Sequence, residues 1–166
     1  MTVTLVVMGV SGVGKSSVAA ELVARTGWAF AEGDDLHPED NRRTMASGHP
    51  LDDADRRPWL QRVAAWIGDH EVAGHNGVVT CSALKRTYRD LLRTGHPSVR
   101  FVHLLAPPGL VAHRVRSRQG HYMPLPLLGS QLATLEPLEP DEPGIAVDGT
   151  GDPAAVAERV LWQLGR

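Results

Sequence analysis

Residues 3–16 read VTLVVMGVSGVGKS, an apolar run that breaks into glycines and ends on a lysine and a hydroxyl. Val3 to Met8 has the near-continuous apolar, β-branched composition of a strand covered on both faces of a parallel sheet. Gly9 to Ser16 matches the pattern G-x-x-x-x-G-K-[ST]. Beyond Gly14, Val18, Ala19, Leu22 and Val23 fall on one helical face until Gly27 stops the helix. Strand, glycine loop and helix in that order make an anion nest: successive backbone N–H groups point inward and the helix start adds its positive end. Gly9, Val10, Ser11, Gly12, Val13, Gly14, Lys15, Ser16 and Ser17 are therefore expected to cradle the phosphates of ATP. Lys15 should reach the β and γ phosphates, and the Ser16 hydroxyl should ligate Mg2+. The competing reading, a glycine-rich turn with a surface lysine, does not require those flanks.

Downstream, the same alternation repeats. A short strand is predicted at Trp28 to Ala31, followed by the polar segment EGDDLHPEDNRRTMASGHPLDDADRRPW, a long insertion of the kind that is more often functional than idle. Leu60, Val63, Ala64 and Ile67 predict a helix with Pro58 in its first turn. Further strands are expected at Val78 to Cys81, Val99 to Leu105 and Ile145 to Val147. Helices are expected at Ala83 to Arg93, Pro108 to about Arg118 and after Asp152-Pro153. Gly120 to Pro143 lacks a clear period and reads as a mobile flap with some helix near Leu127 to Leu135. The fold class is α/β, a five-stranded parallel sheet with helices on both faces and a mobile lid. Ligands of such sheets collect at the carboxyl ends of the strands.

The 166-residue chain suits one domain, residues 1–166, with a substrate-binding insertion at about 33–58 and a lid at about 119–143. A hydrophobic fraction of 42%, 22% charged residues and a formal charge of -2 argue against disorder and against a polybasic nucleic-acid binder, so a small-molecule partner is expected. The apolar start is too short to span a membrane and lacks signal-peptide features, and the lone Cys81 suits a reducing compartment. No guanine-reading N-K-x-D is present, and the third strand ends in Thr80-Cys81-Ser82 where a metal-binding aspartate would be expected. Metal and base chemistry should then come from Glu32 and Asp34, which extended backbone would place on one side of the chain.

The blocks GDDLHPEDNRRTMASGHPLDDADRRPWL, CSALKRTYRDLLR, RSRQGHYM and SQLATLE, in order after the glycine loop, resemble gluconate kinase, a family with the P-loop kinase fold. The resemblance implies a cytoplasmic homodimer that transfers the γ-phosphate of ATP, with Mg2+, to the 6-hydroxyl of D-gluconate. Asp34 resembles the family's acceptor-side aspartate and would orient the attacking hydroxyl, with Lys15 and Arg118 as the other catalytic groups. A carboxylate and a row of hydroxyls call for cations and mixed donors and acceptors, for which Asp34, His37, Asn41, Arg42, Arg57, Lys85 and His121 are candidates. Arg114 and Arg118 flank the start of the flap, where Arg114 would join the nucleotide site and Arg118 swing onto the phosphates.

Other roles stand beside these. The structural alternatives are a cap for a helix near Pro38 for Asp34, turn structure for His37, a surface position for Lys85, and packing for Trp59 and Trp66. Glu32 replaces the aspartate that many family members carry, which puts its metal role in doubt. Adenine contacts are expected only in the neighbourhood of Asp148 to Pro153. The rival functions are a kinase for another small hydroxy acid or a nucleotide, and a nucleotide-dependent switch.

Overall fold

A computed structural model describes residues 2–117 and 125–166. Five strands form one parallel sheet in the order β2-β3-β1-β4-β5, with β1 at Thr4–Met8, β2 at Ala29–Glu32, β3 at Gly77–Thr80, β4 at Val99–Leu105 and β5 at Gly144–Asp148. All five β1 residues are buried. Successive side chains of a strand point to opposite faces, so helices must cover both. The helices are α1 (Lys15–Thr26), α2 (Glu39–Ala46), α3 (Asp53–Ala73), α4 (Arg86–Arg93), α5 (Pro108–Ser117), α6 (Leu125–Thr134) and α7 (Pro153–Gln163). α1 packs with α7, and α3 with α4. Val18, Ala19 and Leu22 of α1 bury the face expected from their spacing, and Gly27 ends the helix in a left-handed conformation.

Strand limits shift by a residue, and three larger departures from expectation bear on the site. α3 begins five residues before Pro58, because Asp52 and Asp55 form a capping box in which each side chain accepts from the other's backbone N–H. α4 begins at Arg86 rather than Ala83, since Ala83 takes a left-handed φ of 46° that breaks helical continuation. The chain after β2 does not stay extended: Gly33–Leu36 coils into a 3₁₀ turn.

Glu136 to Glu142, inside the expected flap, is held against α4. The Arg89 guanidinium donates to Glu142 at 2.7 Å, both side chains fully buried, and to the carbonyls of Ala83 and Pro137. Arg86 adds a two-pronged pair to Asp141 and a bond to Glu139. Removing one partner of a buried pair costs about 3–5 kcal/mol because the other charge is stranded.

Candidate active site

The glycine loop joins β1 to α1 and is built from backbone that side chains cannot adopt. Gly12 has φ +84°, and a Cβ there would lie 2.8 Å from Val115 Cγ2 and 3.1 Å from the Val111 carbonyl. α5 thus packs directly on the loop. Gly14 caps α1 in a left-handed conformation with no side-chain cap among the described residues, which leaves the first-turn N–H groups to an anion. Lys15 Nζ lies over the loop, donating to the carbonyls of Gly9 at 2.9 Å and Val10 at 3.1 Å. Arg114 donates to the Val13 carbonyl at 3.1 Å. On the outer side of the loop, a cleft is lined by Gly12, Gly14, Ser17, His113, Arg114, Gly149, Gly151 and Pro153. The segment singled out for adenine, 148–153, lies there, together with His113, which the sequence reading missed.

Below the start of α1 lies a corner of oxygen ligands. Ser16 Oγ donates to the Glu32 carboxylate, 2.9 Å from each oxygen. Thr80 Oγ1 donates to Glu32 Oε1 at 2.5 Å and accepts from Gly33 N at 3.0 Å. Parallel pairing of β2 with β3 sets Glu32 beside Thr80, so the hydroxyl at the end of β3 steadies a carboxylate supplied by the neighbouring strand. Gly33 permits this approach: any Cβ there would stand 1.8 Å from the Thr80 carbonyl oxygen. Hydroxyl and carboxylate oxygens are the donors that a hard cation such as Mg2+ takes.

Because Gly33–Leu36 turns, Glu32 and Asp34 part company, and the expectation of both carboxylates on one side of an extended chain is corrected. Asp34 lines a second cavity, bounded by Ser11, Lys15, His37, Met45, Leu51, Arg56, Trp59, Ser82 and Gln131. Among the described residues it caps no helix through its side chain: α2 has Pro38 at its N-cap without a side-chain bond, and the Asp34 carbonyl accepts from His37 N and, at 3.4 Å, from Arg42 Nη2.

His37 is 5% exposed and stacks on Trp59 with ring centroids 4.0 Å apart. Trp59 is anchored by its indole N–H on the Gly33 carbonyl at 2.8 Å. Burial pushes the His37 imidazole down to about 4, so the ring is neutral near pH 7. Asn41 sets the tautomer. Its amide donates to the Asp55 carbonyl at 2.8 Å and to His37 Nδ1 at 3.3 Å, so Nδ1 accepts and Nε2 carries the hydrogen.

Of the expected acceptor-side residues, Asp34 and His37 line this cavity and four do not. Asn41 is spent on His37 and Asp55. Arg42 is exposed and donates to the Asp35 carbonyl at 2.8 Å. Lys85 pairs with Asp53 at 3.0 Å. Arg57 is exposed, whereas Arg56 lines the cavity. Arg56 Nη1 donates to Tyr88 Oη at 2.9 Å with the guanidinium 5.4 Å from that ring's centre, and Tyr88 Oη in turn donates to Asp53. Arg118 and His121 lie outside the described residues.

A glycine loop at a helix start, a group of oxygen donors at Ser16 and a polar cavity lined by Lys15 match the layout of a P-loop small-molecule kinase. A family model described as an AAA domain matches residues 5–138. The gluconokinase of Gluconobacter oxydans (strain 621H) is 51% identical over 157 residues, 95% of this chain and 88% of that protein. The chain belongs to the gluconokinase family. Among solved structures, a sugar kinase from Janibacter sp. HTCC2649 superposes with a TM-score of 0.94 at 50% identity, covering 99% of this chain and 95% of that one. A gluconokinase from Sinorhizobium meliloti 1021 superposes with a TM-score of 0.85 at 44% identity, covering 99% and 92%. The insertion that carries Asp34, His37 and Arg56 lies within the matched span of the family model.

Proposed function

We propose that the protein phosphorylates D-gluconate on its 6-hydroxyl with ATP, giving 6-phospho-D-gluconate and ADP. The observation that carries this is the single cavity in which Asp34, Arg56 and neutral His37 face Lys15 of the phosphate loop. Nothing apolar about gluconate would reward a greasy pocket; its carboxylate needs a cation, and its hydroxyls need donors and acceptors in fixed places. Arg56, steadied by Tyr88, is the cation for the carboxylate. His37, with its hydrogen held on Nε2, is a donor to a hydroxyl oxygen. Asp34 accepts the hydrogen of the 6-hydroxyl, turns its lone pair toward the γ-phosphorus and takes the proton as the new O–P bond forms. Lys15 offsets the charge that gathers on the transferred group and on the departing ADP.

The oxygen donors of Ser16, with Glu32 and Thr80 behind it, fit Mg2+, which when bound neutralises phosphate charge and orients the oxygens. On this reading Glu32 acts through Ser16. Arg114 and the segment 148–153 hold the nucleotide, and the family resemblance adds Arg118 and His121 to the site. The fold is one kinase domain, with residues 33–58 as the acceptor wall. No helix among the described residues is long and apolar enough to cross a membrane. The family resemblance carries the reading of a cytoplasmic homodimer, which light scattering on the purified chain tests.

Coupled ADP release across a panel of sugar acids, shikimate and nucleoside monophosphates tests the acceptor. Gluconate should give the highest kcat/KM. An acceptor-independent rate, unchanged by every compound, would mark a nucleotide switch instead.

A further inference from the structure

SQLATLE, residues 130–136, has no role in the site described above, yet its side chains reach two of the loops that build it. Gln131, on α6, accepts the Ser11 N–H of the phosphate loop on Oε1 at 2.7 Å and lines the same cavity as Lys15 and Asp34. Five residues on, Glu136 N donates to the Leu84 carbonyl at 2.7 Å, and the Glu136 carboxylate accepts from Arg86 N at 3.0 Å, capping α4. The loop after β3 is itself tied to the phosphate loop, since Gly9 N donates to the Ser82 carbonyl at 3.3 Å. The chain just past α6 is thus fixed to the β3–α4 connection, while Gln131 reaches the loop that presents the phosphate.

We propose that Gln131 is a positioning residue for phosphoryl transfer. It sets the Ser11 turn of the phosphate loop from across the cavity and presents a neutral amide, never a charge, to the face where the phosphoryl group passes from nucleotide to acceptor. This rests on the kinase reading above. The residue type supports it. A carboxylate would accept the Ser11 N–H at least as strongly as an amide oxygen, so simple anchoring of α6 would be served equally by glutamate. Beside Lys15 and Asp34, however, a second carboxylate would repel the anionic group in transit. Glutamine keeps the acceptor and removes the charge.

The test compares Gln131→Ala and Gln131→Glu with the wild-type chain for kcat at saturating ATP and gluconate, KM for ATP, and Tm. Gln131→Ala should lower kcat about 10²-fold, the scale of a small misplacement of reacting groups. KM for ATP should move less than about threefold, because the rest of the nest is intact. Gln131→Glu should keep the wild-type Tm and still lose at least as much kcat. If Gln131→Glu turns over within about threefold of wild type, Gln131 only anchors α6 and the proposal is overturned. A folded Gln131→Ala variant as active as wild type would overturn it equally. Should Gln131→Ala not fold, the isosteric Gln131→Glu decides alone. A wild-type chain without gluconate-dependent ADP release would overturn the kinase reading itself, and this inference with it.

Discussion

The phosphate loop and the acceptor wall meet at Lys15 but are built on opposite plans. The loop delivers its chemistry through backbone: eight consecutive residues, glycines where α5 and β4 press against it, and a helix start. The proposed acceptor wall works through side chains, of which His37 and Arg56 are each held by other side chains. His37 is held by Trp59 and Asn41, and Arg56 by Tyr88, which is itself held by Asp53. A backbone site is written locally in the sequence. A side-chain site is spread here from Asp34 to Tyr88, and a change two contacts away reaches the substrate.

The largest expected effect tests the loop. Lys15→Ala removes the side-chain charge that the loop itself aims at the transferred phosphate and should lower turnover by about 10²–10³-fold, while the backbone nest still binds nucleotide. Near-normal turnover in a folded variant would show that the loop is not the transfer site.

Smaller and more selective effects test the wall. Arg56→Ala should raise KM for gluconate by about 10- to 10²-fold, the value of a charge-assisted bond, with a lesser change in kcat. Tyr88→Phe removes only the hydroxyl that steadies Arg56 and should shift the same parameter by less. Arg57→Ala should leave both constants alone. Equal effects at positions 56 and 57 would contradict the side-chain plan, because only Arg56 lines the cavity.

The smallest effect is on stability. His37 and His103 are both buried with their imidazoles pushed down to about 4, mainly by desolvation. Between pH 6.5 and 4 the unfolded chain binds protons that the folded chain refuses, so stability is fully present above 6.5 and is lost as pH falls through that window. Tm should decline across it, and His37→Gln should remove roughly half of that slope, leaving the share of His103. An unchanged slope would mean that His37 is protonated in the fold.

The split between backbone and side-chain sites also explains what was legible. Strand and helix order, the phosphate loop and the Asp152 cap of α7 are local signals, and they appear where periodicity and spacing put them. Asp34 was picked out with Glu32 because the third strand lacks an acidic residue at its end, and the resemblance to a known family gave Asp34 its acceptor-side role and added His37. Arg56 was missed through one boundary. With α3 read as starting near Pro58, Arg56 and Arg57 sit in a loop and are interchangeable. From the true start at Asp53, Arg56 falls three, four and seven residues before the buried Trp59, Leu60 and Val63, on the inward face. The Asp52-Asp55 box was the signal that would have placed that start. Thr80 and Gln131 had no local signal, since their roles come from strand register and from a contact 120 residues apart in sequence.

Whether Asp34 receives the substrate hydroxyl opposite Lys15 is decided by Asp34→Asn, measured for turnover at saturating gluconate alongside nucleotide affinity and Tm. Asparagine keeps the size and one acceptor oxygen but removes the charge that takes the proton. Turnover should fall by about 10²-fold, the lower end for general-base assistance because the hydroxyl loses its proton late in phosphoryl transfer, while nucleotide affinity and Tm stay at wild-type values. Turnover within a factor of about two of wild type would contradict that role and reduce Asp34 to a structural residue of the 3₁₀ turn.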